Sequence, residues 1–383
     1  MYSRILQVPA NESYFLFGPR GTGKSSWLRD TYPRATILDL LQVDLAARLL
    51  ADPGRLTRMI PVDPEGPIVL DEVQRVPAIL DEVHRLIETR GWRFVLTGSS
   101  TRSLKRRGTN LLAGRARTRF LHPFTADELG ADFDVGHAVR FGGLPLAWTS
   151  EDPADYLASY VGTYLKEEVQ QEGLTRNLGA FTRFLEAASF SQAAVLNVSQ
   201  VARDGAVDRK VVESYFTILE DLLLAVRIPV FGRRARRRTV THPKFFFFDA
   251  GVYRALRPKG PLDSAEEIDG AALETLVLQQ IRALNDALGL GYTIHFWRTP
   301  GGTEVDFVLY GERGLLAIEV KCSPQVRSKD LAGLRAFLAD YPEARALLLH
   351  GGAREEHHEG IVARPLDTGL RGLRAWLEEP EGR

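Results

Sequence analysis

The sequence contains a single cysteine, Cys322, among 383 residues. One cysteine excludes an intramolecular disulfide and a zinc site built from several cysteines, and it fits a reducing compartment. The longest apolar runs have the length of strands, well below the roughly 20 residues of a membrane-spanning helix. The first residues also lack the apolar core of a secretory signal peptide. We therefore expect a cytoplasmic protein with no membrane segment and no membrane partner.

Lysine is also scarce. The chain has eight lysines and 41 arginines, and its 49 basic residues balance 49 acidic ones. A net charge of zero gives no general attraction to nucleic acid, although it leaves room for a local basic patch. Arginine is better suited than lysine to bidentate contacts with phosphate or carboxylate groups. The length and the 44% hydrophobic content predict two or three globular domains.

Changes of pattern along the chain predict four parts. First, short apolar strands alternate with helical stretches, which is typical of a parallel sheet covered by helices. Helix formers without a strand pattern follow, and then a helix, a Gly-containing turn, a second helix and a strand, as in a winged helix. A linker rich in proline and glycine precedes a second α/β unit. The predicted boundaries are 1–148 for the first α/β domain, 149–188 for a helical connector, 189–257 for the winged-helix-like part and 265–383 for the last α/β domain.

A glycine-rich motif, GPRGTGKS, follows the first apolar strand and begins a helix. This is the P-loop pattern, in which backbone N–H groups and a helix N-terminus surround the phosphates of a nucleotide. Lys24 would reach the β- and γ-phosphates of ATP, and the Ser25 hydroxyl would hold Mg²⁺. An ordinary glycine-rich turn is the alternative, but the lysine and the hydroxyl both lie at the required positions. The predicted nucleotide-binding residues are Gly18, Gly21, Thr22, Gly23, Lys24, Ser25 and Ser26.

Further residues of the first domain fit ATP hydrolysis. Asp71, at the end of the strand IVLD, would complete the Mg²⁺ shell, and Glu72 would be the general base for the attacking water. A solvated acidic pair is the alternative. Ser99 ends the next strand, where a hydroxyl could contact the γ-phosphate, or it belongs to a simple turn. Arg115 could act as an arginine finger in a neighbouring subunit, which implies a homo-oligomer; a solvated strand-edge arginine is the alternative.

A predicted hairpin brings charged residues of the last domain together. If Tyr310 pairs with Leu315 across the turn, Asp306 lies opposite Glu319, and strand alternation places Lys321 on the same face. Two carboxylates whose Cβ atoms lie about 5 Å apart across the strands repel each other, so a cation is expected between them. Oxygen ligands favour Mg²⁺ or Mn²⁺. A cross-strand ion pair between Glu304 and Lys321 on a solvated face is the alternative, but it leaves Asp306 facing Glu319 unexplained.

Glu274 is an acid on the apolar face of the helix that precedes this hairpin. With Asp306 and the Glu319-x-Lys321 pair, it resembles the PD-(D/E)XK nuclease superfamily of restriction enzymes and resolvases. The resemblance implies that Glu274, Asp306 and Glu319 bind the metal and that Lys321 is the catalytic lysine. Val305 precedes Asp306, so the Pro-Asp pair of that family is absent.

Over nearly the whole chain, the order of motifs resembles bacterial and archaeal AAA-type ATPases. In these proteins a P-loop domain is followed by a helix-turn-helix region and a restriction-endonuclease-like C-terminal domain. The resemblance implies this architecture and leaves the substrate open. The matching segments are GPRGTGKS, IVLDE, LTGSS, LAGRARTRFLHPF, ETLVLQQI, TEVDFVL and AIEVK.

A cluster of five arginines lies between two predicted strands, at the position of a wing after the helix-turn-helix. Such a cluster could contact successive phosphates without reading the bases. A solvated, charged hairpin is the alternative. Nucleic acid, with DNA favoured over RNA, is the predicted partner. The five residues are Arg233, Arg234, Arg236, Arg237 and Arg238.

The predicted function is hydrolysis of ATP to ADP and phosphate, coupled to the binding and Mg²⁺-dependent phosphodiester cleavage of nucleic acid by the last domain. The alternative is an ATP-driven switch whose nuclease-like domain is an inactive docking module. A small-molecule P-loop kinase is a third candidate, and it would transfer phosphate to an acceptor rather than to water. The predicted cofactors are ATP and Mg²⁺, and Mn²⁺ could also serve the nuclease-like site.

Overall fold

The chain folds into two compact units. The computed structural model describes residues 2–9, 11–100, 116–165, 167, 169, 177–232, 242–261 and 263–379. The first unit contains Leu6–His122 with Asp221–Leu224, and the second contains Met1–Ile5, Pro123–Glu220 and Ala225–Arg383. Among the described residues, none of the helices has both the length and the apolar character that a bilayer crossing requires.

The first unit is built on a parallel sheet, as the alternation of strands and helices predicted. Its strands are β1 (Ser13–Phe17), β2 (Thr36–Asp39), β3 (Ile68–Asp71), β4 (Phe94–Gly98) and β5 (Ala116–Phe120). They lie in the order β2-β3-β4-β1-β5, and all neighbours are parallel. Every residue of β1, β3 and β4 is buried, as expected for central strands covered on both faces.

Helices cover this sheet and complete its core. They are α1 (Lys24–Thr31), α2 (Val43–Ala51), α3 (Leu56–Met59) and α4 (Ile79–Arg90), with 3₁₀ turns at Pro53–Arg55 and Val73–Arg75. Phe15, Phe17 and Leu70 of the sheet belong to one apolar cluster with Leu86 of α4. Because the strands are parallel, the residues that follow β1, β3 and β4 meet at one edge of the sheet.

The second unit begins with short helices. These are α5 (Ala126–Leu129), α6 (Val135–Phe141), α7 (Pro145–Thr149), α8 (Pro153–Ser159), a π-helical turn (Tyr160–Tyr164) and α9 (Leu178–Ser189). Thr125 and Glu128 form a capping box, which fixes the start of α5. The described part of the predicted helical connector therefore contains helices and no strand.

The next segment has the predicted order of helix, turn, helix and strand. Its elements are β6 (Ala194–Val195), α10 (Val198–Asp204), α11 (Arg209–Asp221), β7 (Ala225–Ile228) and β8 (Lys244–Phe247). The three strands form an antiparallel sheet in the order β6-β8-β7. One face of α11 is buried and belongs to the core, so it is not available to contact a ligand. Its residues are Val212, Tyr215, Phe216 and Leu219.

The last segment combines a long helix with a six-stranded mixed sheet. Its strands are β9 (Thr293–Arg298), β10 (Glu304–Gly311), β11 (Gly314–Lys321), β12 (Arg345–His350), β13 (Glu356–His358) and β14 (Ile361–Pro365), in the order β13-β14-β12-β11-β10-β9. Its helices are α12 (Ala250–Leu256), α13 (Ala265–Leu288), α14 (Ala332–Asp340), α15 (Leu366–Arg371) and α16 (Leu373–Glu378), with a 3₁₀ turn at Ser328–Leu331. Tyr310 pairs with Leu315 in the β10–β11 hairpin, so the predicted register is correct.

The α/β fold class is therefore confirmed in its coarse form. A parallel α/β sheet comes first, and a mixed sheet with helices follows. The four domain boundaries, the winged helix and the nuclease-like fold of the last segment stay predictions.

Candidate functional site

The P-loop connects β1 to α1 at the carboxyl edge of the parallel sheet. Gly21 and Gly23 have φ angles of 85° and 87°, in the left-handed region that favours glycine. A Cβ atom at Gly18 would lie 2.4 Å from the carbonyl oxygen of Leu121. The shape of the loop therefore requires these three glycines. It leads into the N-terminus of α1, where helix N–H groups favour a bound phosphate.

Lys24 is buried and holds the loop through backbone oxygens. Its Nζ donates hydrogen bonds to the carbonyl oxygens of Gly18 at 2.7 Å and Pro19 at 3.1 Å. The Thr22 hydroxyl also donates to Pro19 O, at 2.9 Å. Ser26, in the first turn of α1, is exposed. The phosphates of a nucleotide would therefore compete with the loop carbonyls for the Lys24 ammonium group.

Ser25 and Asp71 meet as the motifs predicted. The Ser25 hydroxyl donates a hydrogen bond to Asp71 Oδ2 at 2.6 Å, and the Thr97 hydroxyl donates to Asp71 Oδ1. The two predicted Mg²⁺ ligands thus lie side by side, although they are 46 residues apart in the sequence. Hydroxyl and carboxylate oxygens are the donors that Mg²⁺ prefers, so these residues fit that ion.

Glu72 follows β3 and points its carboxylate toward the end of β4. Its backbone is left-handed, with a φ of 60°. Gln74 Nε2 donates to Glu72 Oε2 at 2.5 Å and to Ser99 Oγ at 3.1 Å, and Ser99 Oγ lies 3.4 Å from the same Glu72 oxygen. The Glu72 backbone N–H donates to Thr97 Oγ1 at 3.2 Å. Glu72 and Ser99 are therefore linked through Gln74, a residue that no sequence motif singled out.

Arg115, the predicted arginine finger, lies outside the described residues. The neighbouring arginines of β5 make contacts within the first unit. Arg117 Nε lies 2.6 Å from Glu12 Oε2, and Arg119 Nε donates to the Gln7 carbonyl oxygen at 3.2 Å. Arg117 and Arg119 thus contact other residues of the first unit, and Arg115 stays the predicted finger.

Asp306 and Glu319 are buried neighbours on β10 and β11. They are 4% and 5% exposed. The Asp306 N–H donates to Glu319 Oε2 at 3.2 Å, and the Val320 N–H donates to Asp306 Oδ2 at 3.0 Å. Each carboxylate therefore accepts a backbone hydrogen bond from the opposite strand. The structure brings together the two acids that the hairpin register predicted to face each other.

Two other predicted residues lie at the same place. Lys321 Nζ lies 2.5 Å from Glu319 Oε1. Glu274 of α13 lies close enough to interact with Asp306 and Glu319, and its buried Oε2 atom accepts no hydrogen bond from the described residues. Burial and the nearby charge of Asp306 raise the pKa of Glu274. The same two causes raise the pKa of Glu319 to about 8, although Lys321 opposes the shift.

A second lysine, which the sequence motifs did not indicate, reaches these acids from β8. Lys244 is 2% exposed. Its Nζ lies 3.3 Å from Asp306 Oδ1, 3.4 Å from Glu304 Oε1 and 3.7 Å from Glu274 Oε2. Burial alone would lower the pKa of Lys244, but attraction by these three carboxylates raises it overall. Lys244 therefore supplies a positive charge beside Asp306, where the sequence predicted a metal ion.

We call Glu274, Glu304, Asp306 and Glu319 the acidic cluster. The described residues contain no group of three or more histidine, cysteine, aspartate and glutamate side chains arranged to hold a metal ion. The carboxylate oxygens suit Mg²⁺ or Mn²⁺. A metal bound by Glu274 and Asp306 would compete with Lys244, so the metal site predicted here stays a prediction.

The structure does not test the five predicted nucleic-acid-binding arginines. All five, Arg233, Arg234, Arg236, Arg237 and Arg238, lie outside the described residues. Their contribution to a binding surface therefore stays a prediction.

Three segments of the sequence match known families. Residues 10–130 match a family described as AAA domain. Residues 133–263 match a domain of unknown function (DUF8612), and residues 269–368 match another domain of unknown function (DUF4143). None of the three matches covers half of the chain. Among the curated proteins with which the sequence was compared, none is similar enough to match.

Solved structures give weaker similarities. A STAND (signal transduction ATPase with numerous domains) protein with a tetratricopeptide repeat sensor, from Pyrococcus horikoshii, is 15% identical with a TM-score of 0.24. The alignment covers 76% of this chain and 49% of that one, so this chain spans about half of its length. A protein from Vibrio cholerae is 12% identical over 95% of this chain and 97% of that chain, with a TM-score of 0.22. A type III CRISPR defence DNA nuclease activated by cyclic oligoadenylate is 14% identical over 94% and 50%, with a TM-score of 0.20. Scores this low carry no argument about architecture or activity.

The P-loop geometry and the family match agree on the class of the N-terminal part. Its glycine-rich loop, its Ser25–Asp71 pair and its parallel sheet all occur within or beside the matched segment. Residues 10–130 are an AAA-type P-loop ATPase domain. The two segments that follow it match families whose function is not known.

Proposed function

We propose that this protein hydrolyses ATP at the P-loop and couples turnover to Mg²⁺-dependent cleavage of nucleic acid at the acidic cluster. One observation supports the first half most directly: Ser25, Asp71 and Glu72 lie together beside the P-loop. The second half is supported by the buried pair of Asp306 and Glu319 on adjacent strands.

Each residue of the nucleotide site has a distinct role in hydrolysis. Lys24 moves from the loop carbonyls to the β- and γ-phosphates, and Ser99 contacts the γ-phosphate. Ser25 and Asp71 would hold Mg²⁺, which supplies neutralisation of the phosphate charge. Glu72 accepts a proton from water as the water oxygen bonds to the γ-phosphorus. The bond from that phosphorus to the bridging oxygen breaks, giving ADP and phosphate.

Phosphate release tests this assignment. We expect Lys24→Ala to weaken the binding of a fluorescent ATP analogue. Glu72→Gln keeps the side-chain size, so it should bind the analogue normally while turnover falls by about 100-fold or more. Full turnover by Glu72→Gln would contradict its role as the base. A phosphate transferred to an added acceptor instead of water would indicate the kinase alternative.

At the acidic cluster, the resemblance to PD-(D/E)XK nucleases gives each residue a role. Glu274, Asp306 and Glu319 would hold Mg²⁺ or Mn²⁺, which lowers the pKa of a bound water. Lys321, already 2.5 Å from Glu319, would stabilise the negative charge that develops on the phosphodiester. A metal held by Glu274 and Asp306 would displace Lys244 from at least one of the three carboxylates that it contacts.

Nucleic acid, preferably DNA, would bind through the five-arginine cluster at 233–238. The segment lies between β7 and β8 in the sequence, after the helix-turn-helix elements. Contacts with phosphates release counterions, so each arginine that contacts B-DNA contributes about 0.9 to the slope of log K against log salt. If all five contact phosphates, replacing them with serine should lower affinity and flatten this slope by about 4.5. Unchanged affinity and slope would place the binding surface elsewhere.

The second candidate is an ATP-driven switch in which the last domain is an inactive docking module. Lys244 favours this candidate, because an internal ammonium group already contacts three of the four acids in the cluster. In that case the protein hydrolyses ATP and binds a partner but cuts no nucleic acid with either metal. A cleavage assay with Mg²⁺ and Mn²⁺ separates the two candidates.

A further inference from the structure

We propose that Gln74 is a positioning residue for ATP hydrolysis, because its side-chain amide fixes the direction of the Glu72 carboxylate and ties it to Ser99. This inference rests on the proposed role of Glu72 as the base. Gln74 lies in the 3₁₀ turn Val73–Arg75, directly after Glu72. It belongs to none of the motifs by which the sequence indicated the nucleotide site.

The contacts of Gln74 point to function. Its Nε2 donates to both Glu72 Oε2 and Ser99 Oγ, so one amide nitrogen joins two residues that the mechanism uses. Its Oε1 is buried and has no hydrogen-bond partner among the described residues. A buried acceptor without a partner lowers stability, so packing and stability alone would not favour this side chain here. The hydrogen bond to Glu72 accounts for an amide side chain at this position.

Gly98 supports the same conclusion from the neighbouring strand. A Cβ atom at Gly98 would lie 2.7 Å from Gln74 Oε1, and its next contacts are at an ordinary 3.5 Å. Gly98 is not among the residues with positive φ, so its backbone does not require glycine. The missing side chain at the end of β4 therefore makes room for the Gln74 amide.

The geometry also indicates how Gln74 would act. Gln74 and Ser99 both contact Oε2 of Glu72, so Oε1 is the oxygen that would accept the proton from water. The left-handed backbone of Glu72 does not by itself fix the carboxylate. A donated hydrogen bond to Oε2 limits rotation of the carboxylate, and orientation of a general base is worth a large part of its effect.

Two substitutions test this role by independent routes. Gln74→Leu removes the donor and keeps the side chain's bulk, and Gly98→Ala displaces the amide while Gln74 remains. We expect each to lower kcat by about 10-fold to 100-fold, with KM for ATP and Kd for a fluorescent ADP analogue within about twofold of the wild type. Because both act through one group, the double variant should be no slower than the slower single variant. Gln42→Leu, an exposed glutamine in the same unit, is the matched control and should change neither constant.

The outcomes separate this inference from the proposed function. A wild-type protein that releases no phosphate from ATP would overturn the proposed function and the role of Gln74 together. An active wild type with Gln74→Leu within about twofold of its kcat would overturn the inference alone. Parallel losses in kcat, KM and analogue binding would also overturn it, because they indicate a general disturbance of the site. Effects of the two variants that add in full would also count against the inference, because Gly98→Ala would then not act through Gln74.

Discussion

The ammonium group of Lys244 lies 3.3 Å from the Asp306 carboxylate, although 62 residues separate them in the sequence. Lys244 belongs to the small antiparallel sheet, and Asp306 belongs to the mixed sheet of the last segment. Both side chains are almost fully buried. The charge balance of the acidic cluster therefore depends on two separate parts of the chain.

Replacing Lys244 with methionine should destabilise the protein and increase its response to a divalent ion. Removing one partner of a buried ion pair leaves uncompensated charge and typically costs about 3–5 kcal/mol. A metal ion could then balance the carboxylates. We expect thermal unfolding of Lys244→Met to begin at a lower temperature without divalent ions, and Mn²⁺ to raise its Tm more than that of the wild type.

Lys329→Met is the control for this experiment, since Lys329 is exposed in the same unit. It should keep the Tm of the wild type and its response to Mn²⁺. If Lys244→Met unfolds like the wild type and responds equally to Mn²⁺, the ammonium group does not hold the acids together.

Arg115 should act on the ATP bound by another subunit. An arginine finger stabilises the charge of the transition state, so Arg115→Ala should lose about 1,000-fold in kcat and still bind a fluorescent ATP analogue. Mixing it with Lys24→Ala should restore some turnover, because the second variant donates an intact Arg115 to an intact P-loop. Arg117→Ala is the control, because Arg117 pairs with Glu12 of its own subunit, and this variant should stay active. Full turnover by Arg115→Ala, or no recovery on mixing, would contradict a finger that acts between subunits.

Asp249 should make stability fall as the pH rises from about 4 to 6. Burial is the main cause that raises its pKa from 3.8 to about 6, although backbone N–H groups such as that of Gly143 oppose the shift. The folded state therefore binds this proton more tightly than the unfolded state. The contribution of Asp249 to the free energy of unfolding is complete below pH 3.8 and is lost as the pH passes 6, a change of about 3 kcal/mol.

Urea denaturation at pH 4.5 and pH 7 measures this effect. The wild type should lose more stability than Asp249→Asn between the two values, because asparagine has no proton to release in this range. Parallel losses in the two proteins would show that Asp249 does not titrate differently on folding.

Local patterns predicted much of the site. The P-loop spacing fixed Lys24 and Ser25 beside a helix N-terminus, and strand ends placed Asp71 at the same edge. The β10–β11 turn determined the register, so the meeting of Asp306 and Glu319 followed from alternation. These relationships depend only on neighbours in the sequence or on the parallel sheet.

Gln74 and Lys244 could not be predicted in this way. Gln74 makes its contacts through a 3₁₀ turn whose side-chain directions no periodic pattern specifies. Lys244 precedes a run of phenylalanines, and a lysine at the start of a buried strand gives no sign of which distant acids it meets. Both depend on tertiary contacts between segments. Charge balance was the available signal, because facing acids require a cation, but it does not distinguish a metal from a lysine.

Cleavage of labelled single- and double-stranded DNA with Mg²⁺ or Mn²⁺, with and without ATP, tests the central claim most directly. We expect the wild type to cut in the presence of a metal and to cut faster with ATP, whereas Glu319→Gln and Lys321→Ala leave the DNA intact. Wild-type protein that turns over ATP yet cuts no DNA under any of these conditions would contradict the account and favour the docking module.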